Sequence, residues 1–170
     1  MITDARTEIH TMALIHLQLY RSERFDQIEM ESHIQELIIS LSKVYAERKS
    51  ITSVVEISGV HLSIIQAIPC TLVINELISN ALKHAFKEGQ KGMLEISMQS
   101  SAEDTIFVTI KDDGIGIQDE IDIYKTDSLG LKLVRNLVEK QLGGKLQVKR
   151  NKGTEFIIEF KILEEGAKYA

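Results

Sequence analysis

Apolar positions change period several times along the chain, and each change predicts an element. Residues 6 to 20, RTEIHTMALIHLQLY, are apolar over most of a helical circumference, which predicts a helix buried against a partner helix. Residues 28 to 48 repeat Met30, Ile34, Leu37, Ile38, Leu41 and Tyr45 at helical spacing and predict a second helix with a stripe of ordinary width. ITSVVEI, residues 51 to 57, predicts a short strand. LVINELISNALKHAF, residues 72 to 86, returns to helical period in a helix expected to begin near Pro69, a residue suited to a first turn. GMLEISMQ and DTIFVTIKD then alternate as two strands. A glycine-bearing loop leads into the helix LKLVRNLVEKQL, closed by Gly143 and Gly144 where a left-handed cap is expected. KLQVKR and GTEFIIEFKI alternate again. Helices followed by a mostly antiparallel sheet predict an α+β two-layer sandwich.

Three polar interruptions break these patterns. At about 100° per residue, Glu76, Asn80, Lys83 and Lys87 form one narrow stripe, opposite Ile74, Leu77, Ile78, Ala81, Leu82 and Ala85. The plain explanation of such a stripe is a surface helix with one wet side. The strand TIFVTIKD, however, puts Asp112 on the same face as Ile106, Val108 and Ile110, at the end of a core row. A carboxylate there costs several kcal/mol unless something hydrogen-bonds to it. Thr154 ends the row of Phe156, Ile158 and Phe160 in the same way. Two polar row-ends and one polar helix stripe could line a single cavity between sheet and helices, the default form of a ligand site.

The loop narrows the ligand class. Gly114 and Gly116, spaced D-x-G-x-G from Asp112, remove side chains where the backbone turns sharply or approaches something flat. SLG, from Ser128 to Gly130, opens a helix whose free amides and dipole favour an anion. Asp127 or Ser128 could instead cap that helix internally, and each motif alone is weak. An acceptor carboxylate at one end and a polyphosphate at the other describe a purine nucleotide.

Composition removes other classes. The 170 residues suffice for one well-buried domain with a short extension. A net charge of -5 and a pI near 5.6 argue against a nucleic-acid partner. The single cysteine, Cys70, offers no internal disulfide and no metal cluster, and five scattered histidines lack ligand spacing for zinc. No apolar run reads as a membrane span and no signal peptide is visible, so a cytoplasmic domain is expected, whether or not the parent protein is membrane-attached.

NELISNALKHAF, DDGIGI, TDSLGLKLV and GTEF, in this order and at these separations, resemble the four nucleotide-binding boxes of the GHKL ATPase and kinase superfamily. MALIHLQLY followed by IQELI, AIPCTLVINELISNALKHAF and DSLGLKLVRNLVEKQLGG resembles a class of sensor histidine kinases related to the HWE group, over residues 6 to 162. The resemblance implies a Bergerat sandwich, with residues 1–25 the end of a dimerisation hairpin and 26–170 the ATP-binding domain. It implies ATP and Mg²⁺ as ligands, with Asn80 on the cation and Glu76 holding a metal-bound water or polarising the attacking group. Lys83 and His84 would face the phosphates, and Asp112 would accept from the adenine amino group with support from Thr154. Gly114 and Gly116 would pass beside the base, Ser128, Gly130 and Leu131 would present amides to the phosphates, and Lys132 is a candidate further phosphate contact. Residues 118 to 128 would form a short lid without a phenylalanine motif, its bulky residues of note being Ile123 and Tyr124.

The family's phosphoacceptor box is absent from these residues. His10 and His16 fall in the segment resembling the second hairpin helix and are read as packing or dimer-interface residues, and His33 and His61 as packing or surface residues. The acceptor histidine is therefore expected outside this sequence, in a parent that forms a homodimer and passes phosphate to a response regulator. Two rivals are a serine kinase of the anti-sigma type, against which MALIHLQLY argues, and a nucleotide-sensing module without turnover, against which the intact Glu76 and Asn80 argue.

Overall fold

The computed structural model describes residues 27–45, 50–87, 89–117, 123–124 and 128–163. The predicted helix over residues 6 to 20 lies outside them, as does most of the segment from 118 to 128.

A two-residue strand β1, Ile28–Glu29, pairs antiparallel with β3, His61–Leu62. Between them come helix α1, Met30–Tyr45, and strand β2, Ser50–Ile57. The start of α1 is held by Glu29, whose carboxylate accepts the amides of Glu31 and Ser32 at 2.9 and 3.0 Å. These are two of the amides that a helix end leaves without an internal partner. The hydroxyl of Ser32 and these amides hold the Glu29 carboxyl below its ordinary value. Met30, Ile34, Leu37, Ile38 and Leu41 are buried as the period predicted, and His33 is buried with them.

Helix α2, Ile64–Asn80, begins five residues before the predicted start. Pro69 is therefore inside the helix, not in its first turn. The turn is set by Ser63, whose carbonyl accepts the amides of Gln66 and Ala67. The proline leaves the Ile65 carbonyl without its i+4 donor. Ile65 is exposed, so water can take that role. After Asn80 the helix widens into a π turn, Ala81–Ala85, and ends at Phe86 in extended geometry. Over its 22 residues, Ile64–Ala85 is long and apolar enough to cross a membrane, which the sequence reading did not anticipate. Most of it is buried inside this domain, as a core helix would be.

Strands β4, Lys91–Ser100, and β5, Thr105–Asp112, follow, then α3, Leu129–Asn136, with a second π turn, Leu137–Gln141. Gly143, at φ +62°, makes the expected left-handed exit. Strands β6, Lys145–Lys149, and β7, Thr154–Lys161, complete a five-stranded sheet of order β2-β4-β5-β7-β6. Only β2 and β4 run parallel; the other three neighbouring pairs are antiparallel. The α+β two-layer expectation holds. Residues such as Ile96, Val108 and Ile158 of the sheet and Ile74, Leu77 and Ile78 of α2 meet in one core. Each such side chain, once buried, contributes about 1.5–3 kcal/mol.

The register decides where the polar row-ends go. Asp112 and Thr154 are direct partners across β5 and β7, both buried at the same end of the sheet. The two interruptions seen separately in sequence are one polar corner.

Candidate functional site

A cavity of about 430 Å³ opens at that corner, between the ends of β5 and β7, the second half of α2 and the start of α3. Asp112 and Thr154 form its floor with Ile110 and Phe156. One wall is Leu77, Asn80, Ala81, His84 and Ala85, and the facing side is Ile115, Gly116, Ile117, Ser128 and Leu131. The cavity is therefore mostly apolar, with a carboxylate, an amide and two hydroxyls at fixed points.

Asp112 is 6% exposed, and burial raises its carboxyl above the ordinary aspartate value. Hydrogen bonds oppose that rise: the Gly114 amide donates to Oδ1 at 3.0 Å, and Thr154 contributes through backbone and hydroxyl. The Thr154 hydroxyl oxygen also accepts the Ile117 amide at 3.1 Å, tying the loop to β7. Asp113 does something different. It is exposed, and its Oδ1 accepts the Met93 amide at 2.7 Å, anchoring the loop to β4.

The loop is also fastened to α2. The Ile115 amide donates to the Ala85 carbonyl at 2.8 Å, a group that the end of the π turn leaves without an internal partner. Gly114 allows this approach, because a Cβ there would lie 2.2 Å from the same carbonyl oxygen. Gly153 is the second required glycine, and the sequence reading passed over it. It sits at φ +109°, and a Cβ would lie 1.9 Å from the Asp112 carbonyl oxygen. Its backbone is also the nearest neighbour of Gly116. The signal was present in GTEF as a glycine immediately before the predicted strand.

At the other end Asn80 donates through Nδ2 to Glu76 Oε1 at 3.4 Å, both side chains half-buried. A Cβ on Gly130 would lie 2.1 Å from that Oε1 and 3.4 Å from Asn80 Nδ2. The first turn of α3 thus lies against the Glu76–Asn80 pair. Ser128 occupies the cap position without a side-chain cap bond, so it does not satisfy the helix start in the way the sequence allowed. His84 lines the cavity and Lys83 does not. The π turn explains this: it advances by about 80° per residue instead of about 100°, which brings His84 onto the Glu76 stripe and leaves Lys83 short of it. Lys87 and Lys132 are exposed and are not among the lining residues.

The donor set suits a purine nucleotide with a hard cation. Asp112 offers an acceptor in an apolar slot, and the close-packed glycines leave that slot clear. Asn80 and Glu76 offer oxygens, which magnesium prefers, and its remaining ligands are normally phosphate and water. Among the described residues no group of three or more histidine, cysteine, aspartate or glutamate side chains forms a metal cage.

Comparison with known proteins decides the family. The profile of histidine kinase-, DNA gyrase B- and HSP90-like ATPases matches residues 65–164. The chain belongs to this family. A second profile, described as histidine kinase, matches residues 1–45. The chain thus joins an ATPase domain of this family to a segment that matches the histidine kinase profile. The sensor histidine kinase PdtaS of Mycobacterium tuberculosis is 28% identical over 93% of this chain and 32% of its own length. Blue-light-activated histidine kinase 2 of Erythrobacter litoralis is 35% identical over 54% of this chain and 26% of its own. The chain thus spans about a third or less of these relatives. The structure of the blue-light-activated histidine kinase EL346 of Erythrobacter litoralis superposes with a TM-score of 0.81 at 23% identity, covering 96% of this chain and 55% of that one. At that identity the likeness concerns the fold.

Proposed function

We propose that the domain binds Mg-ATP in this cavity and transfers the γ-phosphoryl to a histidine of its parent kinase, which passes it to an aspartate of a response regulator. The observation that carries the reading is one cavity lined by a buried acceptor, Asp112, and by Asn80, with Glu76 outside the lining but bonded to Asn80 and lying against the first turn of α3. Asp112 takes the adenine amino group, backed by Thr154. Asn80 takes the cation, and the amides of Ser128, Gly130 and Leu131 take phosphate oxygens, with His84 nearby and Lys83 and Lys132 as outer charges. Magnesium, when bound, neutralises charge on the phosphates.

In the transfer a ring nitrogen of the incoming histidine forms a bond to the γ-phosphorus, and the bond from that phosphorus to the bridging oxygen breaks, releasing ADP. Glu76 accepts or orients the ring proton. This chemistry needs positioning and charge stabilisation, so the domain supplies no covalent nucleophile of its own. The parent acts as an ATP-fed homodimer with this domain in the cytoplasm.

The test uses the parent kinase with labelled ATP. Acid-labile, base-stable phosphate is expected, since phosphohistidine has that stability, while acid-stable label would indicate serine transfer. Asp112→Asn should weaken ADP binding strongly, because a donor replaces an acceptor in a buried slot. Asn80→Ala should lose the magnesium-dependent part of binding and keep a base-dependent part. Glu76→Gln should slow transfer more than it weakens binding. Unchanged ADP affinity in Asp112→Asn would overturn the assignment of the base end.

A further inference from the structure

Between Ile117 and Ser128 the described residues are Ile123 and Tyr124, and both are held. Ile123 is 7% exposed and belongs to the core. The Tyr124 hydroxyl donates to the Leu146 carbonyl of β6 at 2.7 Å. The Tyr124 carbonyl in turn accepts from Nη1 of Arg135, which lies on α3. Tyr124 therefore bridges the sheet to the helix whose first turn faces the cavity. None of this belongs to the four nucleotide boxes.

We propose that Tyr124 and Arg135 are positioning residues for the phosphate end of the site, acting by fixing where α3 begins. The inference rests on the nucleotide reading above. Helix α3 is anchored mainly toward its end: Val134 is buried and Leu131 and Leu133 are half-buried against the core, whereas Leu129 at its start is 83% exposed. Its capping residue contributes no side-chain cap bond. The Arg135 guanidinium on the Tyr124 carbonyl is a charge-assisted bond, stronger than a neutral one. Covalent reach adds a limit. Ser128 is four residues beyond Tyr124, so it lies within about 14 Å of it however the chain between them runs. On the other side, β6 pairs with β7, and β7 begins at Thr154 beside Asp112. The bridge thus runs from β6, the neighbour of the strand that carries Thr154, to the helix that would hold the phosphates. Its loss should separate the two ends of the site without altering either one's chemistry.

Two probes tell positioning from general destabilisation: ADP with magnesium, which uses both ends, and adenosine, which uses the base end alone. In the 170-residue chain, Tyr124→Phe should weaken ADP about two- to twelvefold, the equivalent of one lost neutral hydrogen bond, and Arg135→Ala, which loses a charge-assisted one, about tenfold or more. Adenosine, followed by NMR titration, should bind within about twofold of wild type, since the Asp112 corner is untouched. Arg135→Lys keeps a cationic donor and should recover most of the ADP affinity. Should Arg135→Ala fail to fold, Tyr124→Phe, which removes one hydroxyl, decides the matter alone. Equal losses for ADP and adenosine, or no loss for ADP, would overturn the proposal. Wild-type protein that binds neither probe would overturn the nucleotide reading itself, and this inference with it.

Discussion

Gly130→Ala separates folding from chemistry at the Glu76 end. The new methyl would lie 2.1 Å from Glu76 Oε1, about 1.3 Å inside an ordinary contact near 3.4 Å. The obstacle is the far end of a flexible side chain, so the carboxylate can swing away. That costs the Asn80 bond, long at 3.4 Å and worth at most about 1 kcal/mol. Alanine in a helix returns up to about 1 kcal/mol over glycine, less in a first turn. Stability should therefore change by less than about 1 kcal/mol in urea unfolding. The backbone amide remains, so ADP affinity in calorimetry should fall little. Transfer should fall sharply: a group displaced by about 1 Å costs on the order of a hundredfold, about 2.7 kcal/mol of barrier. Single-turnover phosphorylation in the parent kinase measures it. A wild-type rate with Glu76 displaced would remove that residue from the reacting centre. A stability loss above about 3 kcal/mol would mean that Glu76 is held rigidly and that the steric argument is wrong.

Gly153→Ala should do the reverse and damage the fold first, because the obstacle is the Asp112 carbonyl at 1.9 Å and the backbone sits at φ +109°. Strain and overpacking together predict a loss of about 2–5 kcal/mol in urea unfolding, with weaker ADP binding as the Asp112–Thr154 register opens. ADP affinity should fall as pH drops through the raised Asp112 value, above the ordinary aspartate range, because the acid form no longer accepts; calorimetry across that range should lose this limb in Asp112→Asn. The same raised value means that the folded state holds this proton more tightly, so this carboxyl opposes folding at neutral pH and the opposition fades on acidification. His33 has the opposite sign. Burial against Thr71, 3.1 Å from Nε2, lowers its pKa, so stability should decline as pH falls from the unfolded value of 6.5, and His33→Gln should flatten that decline in thermal unfolding.

Much of this architecture was legible because strand and helix periods are local. The alternation of Ile106, Val108, Ile110 and Asp112 fixed which face was buried, and the structure kept it. The meeting of Asp112 with Thr154 was implied by the family resemblance and not by periodicity, since register between β5 and β7 is a pairing of residues far apart in sequence. The π turn after Asn80 was invisible for a different reason: over five residues a widened helix has too few turns to shift the apolar pattern, yet it decides that His84 and not Lys83 lines the cavity. Pro69 misled because a first-turn preference was read as a boundary, when the boundary lay at Ser63. The Tyr124–Arg135 bridge joins a loop carbonyl to a side chain on the next helix, and no residue type announces such a contact.

Because β2 and β4 run parallel, the chain crosses the domain between them, and α2 is part of that crossing. Ser50 pairs with Lys91, so the helix carrying Glu76 and Asn80 lies inside a closure of about forty residues. Closing a loop of that size costs entropy before its contacts repay it, and pairing over such separations is slow. The Glu76–Asn80 end lies within this closure and the Asp112 end pairs with Thr154 across an equally long separation, which predicts that the nucleotide site is completed late in folding. Adenine nucleotide should accordingly slow unfolding by binding the finished state and leave the refolding rate nearly unchanged.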